Sequence, residues 1–484
     1  MATFRTSVLS RYNPEPWPGR AGKRVPSMKT AGPETFPKVF WTANTTELFE
    51  RAAYYSMASF IVIYLGQLGL GTYWPAIFNT LLWYLVYFLP VLSGTIADQI
   101  GFRRALLIAF VLLTGGYFLM GYPVWMGGAS LAPTIERGVS AGVNVVVPAI
   151  LGIVLIAVGG SFVKPAILGT AQKTAGARAT LAFAIFYVVV NLGSLFGRAV
   201  AFYVRTRPGA NLSMIFGVAM TMAVLAFVVV LALYRDVETT AGGRPAEKPH
   251  RSVGEIAAGM VRVLGNLRFV LFLTVSCGFF FLYNQVYVAL PLYLKTVVES
   301  SPAMDIYTMA NPLVIVCFQL LVTRTFGKMK PIRSMIVGTV IIGLAMAINL
   351  VPIVVGGDLR APIWRWLPVG SLMVVTCIAL GAFAELFTSA RMYEYVGALA
   401  PKGQEGLFLG YANLPLAFGS LLGGPVGAFI FNEVMAKGAT RRPDGLLDLV
   451  PSHNALGWAI FMGVGLVSAL SMWLFNRWLE QQKA

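Results

Sequence analysis

Three things are scarce in this 484-residue chain: charge, cysteine and histidine. Charged residues make up 12% of it, about half the share of a soluble protein, which excludes an ordinary water-soluble globule. The three cysteines, Cys277, Cys317 and Cys377, sit inside apolar runs at no metal-ligand spacing, so neither a disulfide framework nor a thiolate metal site is expected. The two histidines, His250 and His453, fall near expected loops. With no nucleophile and base pair and no phosphate-binding glycine loop before Lys or Ser, an enzyme is not expected, nor any cofactor or metal. The first 37 residues lack the apolar core of a signal peptide, so no cleaved leader is expected.

Apolar residues are abundant: 57% of the chain, with 50 glycines besides. Charge-free runs span 52–97, 105–135, 138–163, 179–197, 208–234, 269–294, 306–323, 334–357, 366–384, 406–432 and 449–476. A helix crossing the hydrocarbon core needs roughly 20 apolar residues. The first run is long enough for two crossings, so the pattern predicts twelve transmembrane helices. The runs are continuously apolar rather than alternating, which excludes a transmembrane barrel.

The formal charge of +17 is a topology signal rather than a sign of nucleic acid. With the N-terminus inside, 24 basic residues fall in inner segments and nine in outer ones. The positive-inside bias therefore predicts both termini in the cytoplasm of a multi-pass plasma (inner) membrane protein. We expect a cytoplasmic tail over 1–37, a six-helix bundle over 38–234, a linker over 235–267 with an amphipathic segment from Val253 to Leu267, a second six-helix bundle over 268–478 and a tail over 479–484. Two similar halves are the plan of transporters with a midplane site between repeats.

Charged side chains at membrane depth are costly and usually face a bundle interior or an aqueous cavity. The first span carries Glu47, Glu50, Arg51, Tyr54 and Tyr55, whose spacing places all five on one helical stripe. A plain i, i+4 staple between Glu47 and Arg51 would need neither the second carboxylate nor the phenols. Lys164 ends the run 138–163, and six more residues, Ala166 to Ala171, pass before the polar Gln172 and Lys173. It either snorkels to the headgroups or faces a cavity. Glu385 follows the run 366–384 on the tenth span, the counterpart of the fourth. It either forms a buried pair with Arg391 or Lys402, or serves a substrate or proton. A cation from one half and an anion from the other would make a dipolar pocket for an amphoteric molecule.

The stretch Glu47-Leu-Phe-Glu50-Arg51-Ala-Ala-Tyr54-Tyr55 resembles the ExxERFxYY motif of the proton-coupled oligopeptide transporters, a branch of the major facilitator superfamily. Phe186-Tyr187-Val-Val-Val-Asn191-Leu-Gly193-Ser194-Leu195 is similar to their FYxxINxGSL signature, and Gly94 to Arg104 to the superfamily's loop motif after the second span. The resemblance, from about 39 to 430, implies an all-α major facilitator fold of two six-helix bundles. It implies proton-coupled symport of di- or tripeptides by alternating access, with Glu47, Glu50, Arg51 and Lys164 as the proton network. The substrate would meet Tyr54, Tyr55, Tyr87, Lys164, Asn191, Asn284, Glu385 and Ser389. Asp98, Arg103 and Arg104 would latch the cytoplasmic face. Expected partners are a small-molecule substrate, protons and the lipid bilayer, without nucleic acid, and the chain is expected to act as a monomer.

Two positions depart from the family pattern. Peptide transporters commonly place an arginine three residues beyond the second motif tyrosine and pair it with an acid on the seventh span. Here the residues are Ala58 and Asn284. Losing one partner would strand a buried charge, at about 3–5 kcal/mol, whereas losing both is coherent. It leaves a non-peptide solute or an exported drug as the alternative cargo, and a non-transporting receptor or scaffold as the alternative class. Arg198, Arg391 and Glu394 are additional membrane charges, and the last two, at i, i+3, read as a structural pair.

Overall fold

The computed structural model describes residues 35–237 and 263–482, apart from 59, 71–73, 132–138, 208, 210, 300–301, 303, 365–366 and 401–404; within 238–262 only 254, 258 and 261 are described. The N-terminal tail and most of the expected amphipathic segment, Val253 to Leu267, therefore lie outside the described residues.

Among the described residues twelve helical spans follow the apolar runs. They are α1 (Lys38–Ala58), α2 (Trp74–Phe88, continued by Pro90–Ile100), α3 (Phe102–Trp125), α4 (Val143–Ala175), α5 (Ala179–Thr206), α6 (Ser213–Leu233), α7 (Leu267–Asn284), α8 (Ala310–Phe326), α9 (Pro331–Ala347), α10 (Val369–Leu399), α11 (Glu405–Tyr411, continued by Leu414–Phe429) and α12 (Pro451–Gln481). Among the described residues nine stretches are long and apolar enough to cross a membrane, one of them, Val143–Val204, spanning both α4 and α5. α2 bends by 42° at Pro90, where the ring removes a backbone donor. α1 meets no such apolar test because its charges lie inside the span, yet Glu47, Glu50 and Arg51 are all buried. The fold is the all-α major facilitator fold of two six-helix bundles.

The bundle's outer surface is apolar, with Val111, Leu233 and Val467 each more than half exposed, as a lipid-facing surface requires. With lipid outside, the helices gain most from close approach, and small residues make the contacts. A Cβ on Gly116 would lie 2.9 Å from the carbonyl oxygen of Gly152 across α3 and α4, and one on Gly197 would lie 2.4 Å from that of Ala52 on α1. Two antiparallel hairpins, β1–β2 (Pro362–Trp364 with Leu367–Pro368) and β3–β4 (Thr440–Arg441 with Leu447–Asp448), sit between α9 and α10 and between α11 and α12. Arg360 ties them together, reaching Asp448 Oδ1 and the Leu447 carbonyl at 2.8 Å each.

At the opposite end, where α1 begins and α12 finishes, the halves meet directly. Gly94 on α2 faces Gly406 on α11 so closely that a Cβ on Gly94 would lie 2.2 Å from the Gly406 carbonyl oxygen.

Candidate functional site

Between the halves lies a cavity of about 890 Å³, counted to its open mouth. α1, α2, α4 and α5 bring Tyr55, Trp83, Tyr87, Lys164, Tyr187, Asn191 and Arg198 to its wall; α7, α8 and α10 bring Tyr283, Asn284, Asn311, Glu385 and Ser389. Seven of the eight residues expected to meet substrate line it. Tyr54 does not: its ring packs edge-on against Tyr55 and Trp83, one layer behind. Successive helical residues point about 100° apart, so of the two adjacent tyrosines only Tyr55 reaches the opening.

Glu385 is 4% exposed. It accepts hydrogen bonds from the Tyr187 hydroxyl, from Asn311 Nδ2 at 3.2 Å and from Ser389 Oγ at 3.3 Å. All three donors are neutral. The alternative partner Arg391 is engaged elsewhere, with Glu394 at 2.7 Å, and Lys402 lies outside the described residues. Glu385 thus has no basic partner among the described residues, and one of its donors comes from the other half of the molecule.

Lys164 lies over the Tyr87 ring, 5.3 Å from its centre. It takes part in no ion pair among the described residues, although the fields of Glu47, Glu50 and Glu385 act on it. Behind the wall, Arg51 Nε donates to Glu50 Oε2 and lies 3.3 Å from Glu47 Oε1. The guanidinium also sits 5.1 Å from the Tyr54 ring centre. Two carboxyl groups and one guanidinium thus lie together beneath the wall that carries Lys164. The expected network is therefore two layered: Lys164 on the cavity, and Glu47, Glu50 and Arg51 sealed beneath it.

α5 holds this arrangement because of its glycines. A Cβ on Gly193 would lie 2.7 Å from the Leu48 carbonyl and from Arg51 Cβ, so only glycine lets α5 approach the charged turn of α1. Asn191 and Ser194 then line the cavity beside it.

The expected latch divides. Asp98 does cross between halves, accepting from the backbone N–H groups of Gly406 and Leu407, each at 2.9 Å. Arg103 does not cross. Its Nε and guanidinium nitrogen donate to the carbonyls of Tyr234 and Leu231, at 3.0 and 2.8 Å, because it lies beside the end of α6 and satisfies carbonyls that the helix leaves unpaired. Arg104 is exposed. A second crossing joins Arg391 and Glu394 of α10 to Thr180 of α5: Thr180 Oγ1 donates to Glu394 Oε1 at 2.7 Å and accepts from Arg391 at 3.1 Å.

The sequence reading did not assign Trp83, Tyr187, Tyr283, Tyr287 and Asn311 to the wall. Signals existed: Trp83 and Tyr87 are four apart, as are Tyr283 and Tyr287, and Tyr187 lies within the quoted α5 motif.

Two six-helix bundles thus enclose a cavity whose wall carries acidic and basic residues from opposite halves. The Major Facilitator Superfamily profile matches residues 138–367. The chain is 24% identical over 512 residues to dipeptide and tripeptide permease B of Photorhabdus asymbiotica, covering 93% of this chain and 98% of that one. It is 23% identical over 489 residues to dipeptide and tripeptide permease A of Escherichia coli, covering 90% of each. A solved POT family transporter in complex with a thioalcohol-conjugated peptide superposes with a TM-score of 0.65 at 18% identity, over 91% of this chain and 96% of that one. The chain is thus similar over at least 90% of its length to these two peptide permeases and to the fold of a POT family transporter.

Proposed function

We propose that the protein is a proton-coupled symporter of di- and tripeptides or closely related amphoteric molecules, working by alternating access. The observation that carries this reading is the pair Lys164 and Glu385: opposite charges from opposite halves, both on one cavity wall and neither paired with an opposite charge among the described residues. A zwitterion supplies the missing partner at each end, its carboxylate to Lys164 and its ammonium to Glu385. Binding then ties one half to the other, which is what couples occupancy to rocking of the bundles. The relatives' names, dipeptide and tripeptide permeases, support the same cargo.

The proton acts at the sealed layer. Protonating Glu50 or Glu47 weakens its hold on Arg51, and the released charge acts on Lys164 through the wall. A proton falling through about 100 mV supplies roughly 2.3 kcal/mol, and one unit of pH gradient adds about 1.4 kcal/mol. The distribution of basic residues supports a cytoplasmic location for both termini. On that orientation the contacts at Asp98 and Thr180 close the cytoplasmic face.

Uptake of labelled dialanine into proteoliposomes, under an imposed pH gradient and membrane potential and with a peptide library in competition, tests the proposal. We expect accumulation only with the gradient inward and competition by di- and tripeptides. Gradient-driven uptake of some other solute that no peptide inhibits would sink it.

A further inference from the structure

The cavity carries one cation more than a zwitterion needs. Arg198 is on α5, on the same helical face as Asn191 and Ser194, and all three line the wall. Its guanidinium lies over the Tyr55 ring, 5.4 Å from the centre, and one terminal nitrogen donates to Thr308 Oγ1 at 2.9 Å. Both contacts are neutral. Arg198 Nε is buried with no hydrogen-bond partner among the described residues. A guanidinium stacked on a ring keeps its edge free, and that edge is a planar fork shaped for a carboxylate.

Among the described residues Arg198 makes no ion pair. α7 contributes Tyr283 and Asn284 to the wall, and α1 contributes Tyr55. The acidic and basic residues described on the wall are Lys164, Arg198 and Glu385, two basic and one acidic. Arg198 also sits well along α5 from the tyrosine that holds Glu385. Tyr187, which donates to Glu385, lies eleven residues back along α5, about 16 Å at 1.5 Å per residue. A ligand that anchors its ammonium at Glu385 therefore presents its remote end to Arg198.

We infer that Arg198 is a specificity-determining residue that selects ligands with a second acidic group remote from the ammonium, so that the preferred cargo is a net-anionic peptide such as alanyl-glutamate. This rests on the proposed peptide site, and the outcomes below separate the two.

The test is isothermal titration of the purified full-length protein with Ala-Glu, Ala-Gln and Ala-Lys. Ala-Gln has nearly the shape of Ala-Glu without the charge. A hydrogen bond to a charged group is stronger than one between neutral groups, so we expect Ala-Glu to bind at least about tenfold more tightly than Ala-Gln, and Ala-Lys to be the weakest. In Arg198→Gln that ratio collapses to about one, in Arg198→Lys part of it remains, and in Arg198→Glu the order of Ala-Glu and Ala-Lys reverses. Equal affinity of the unaltered protein for Ala-Glu and Ala-Gln overturns this inference alone. So does a parallel loss of both in Arg198→Gln, which would make the arginine a structural tie to Thr308. Absence of binding by all three peptides overturns the peptide site itself and this inference with it. Should Arg198→Gln not fold, the ratio in the unaltered protein and in Arg198→Lys decides.

Discussion

The Tyr187 hydroxyl on α5 donates to the carboxylate of Glu385 on α10, so the buried acid of one half is held by a phenol of the other. Asn311 and Ser389, which complete its coordination, belong to the same half as Glu385. The Tyr187 contact is therefore one that rocking of the halves can break.

Tyr187→Phe removes that donor and leaves a buried carboxylate oxygen short of a partner, at about 1–3 kcal/mol. We expect peptide affinity to fall about tenfold while the protein still folds, and Glu385→Gln to abolish binding of ligands with a free ammonium. Titration of dialanine against N-acetylated dialanine checks both: if Glu385→Gln binds the two as the unaltered protein does, Glu385 is not the ammonium site.

Glu50→Gln keeps the shape of the Arg51 contact but cannot take up a proton. The expected result is loss of gradient-driven uptake with retention of peptide exchange between equal concentrations. Intact driven uptake in this variant would falsify the assignment of Glu50 to coupling.

Gly94→Ala places a methyl 2.2 Å from the Gly406 carbonyl, and backbone cannot yield as a flexible side chain does. The closed contact at Asp98 should then fail, biasing the protein towards the state open at that face. Paired spin labels on α2 and α11 should report a longer distance in Gly94→Ala, and an unchanged distribution would contradict the steric argument.

Gly193→Ala forces α5 away from the charged turn of α1. Overpacking of this kind typically costs about 1–3 kcal/mol, so a lower melting temperature in detergent is expected. Because the approach also seals Arg51, coupling of uptake to the proton gradient should weaken in the same variant.

Much of the site was legible because membrane burial makes charge expensive. Lys164 and Glu385 stood out in apolar runs, and the Glu47, Glu50 and Arg51 stripe follows from helical spacing alone. What spacing cannot supply is rotation about the helix axis: Tyr54 and Tyr55 are neighbours in sequence, yet one packs behind Trp83 and the other faces the cavity. Nor can it say which basic residue crosses between halves. Arg103 lies in the motif with Asp98, but the end of α6 beside it offers bare carbonyls in its own half. Thr180, a small hydroxyl at the start of α5, bridges to Arg391 and Glu394 instead.

By itself, then, the sequence determined the class, the number of spans and the few ionisable groups at membrane depth, since each follows from the cost of placing charge in hydrocarbon. Only the tertiary structure decided which of those groups share a cavity and which are sealed beneath it. That depends on how closely α5 approaches α1 at Gly193 and Gly197, a contact between helices more than a hundred residues apart that no local pattern encodes. The missing cation at Ala58 is visible in the chain. That Arg198 brings a guanidinium to the Tyr55 ring, one turn away from it, is a fact of packing.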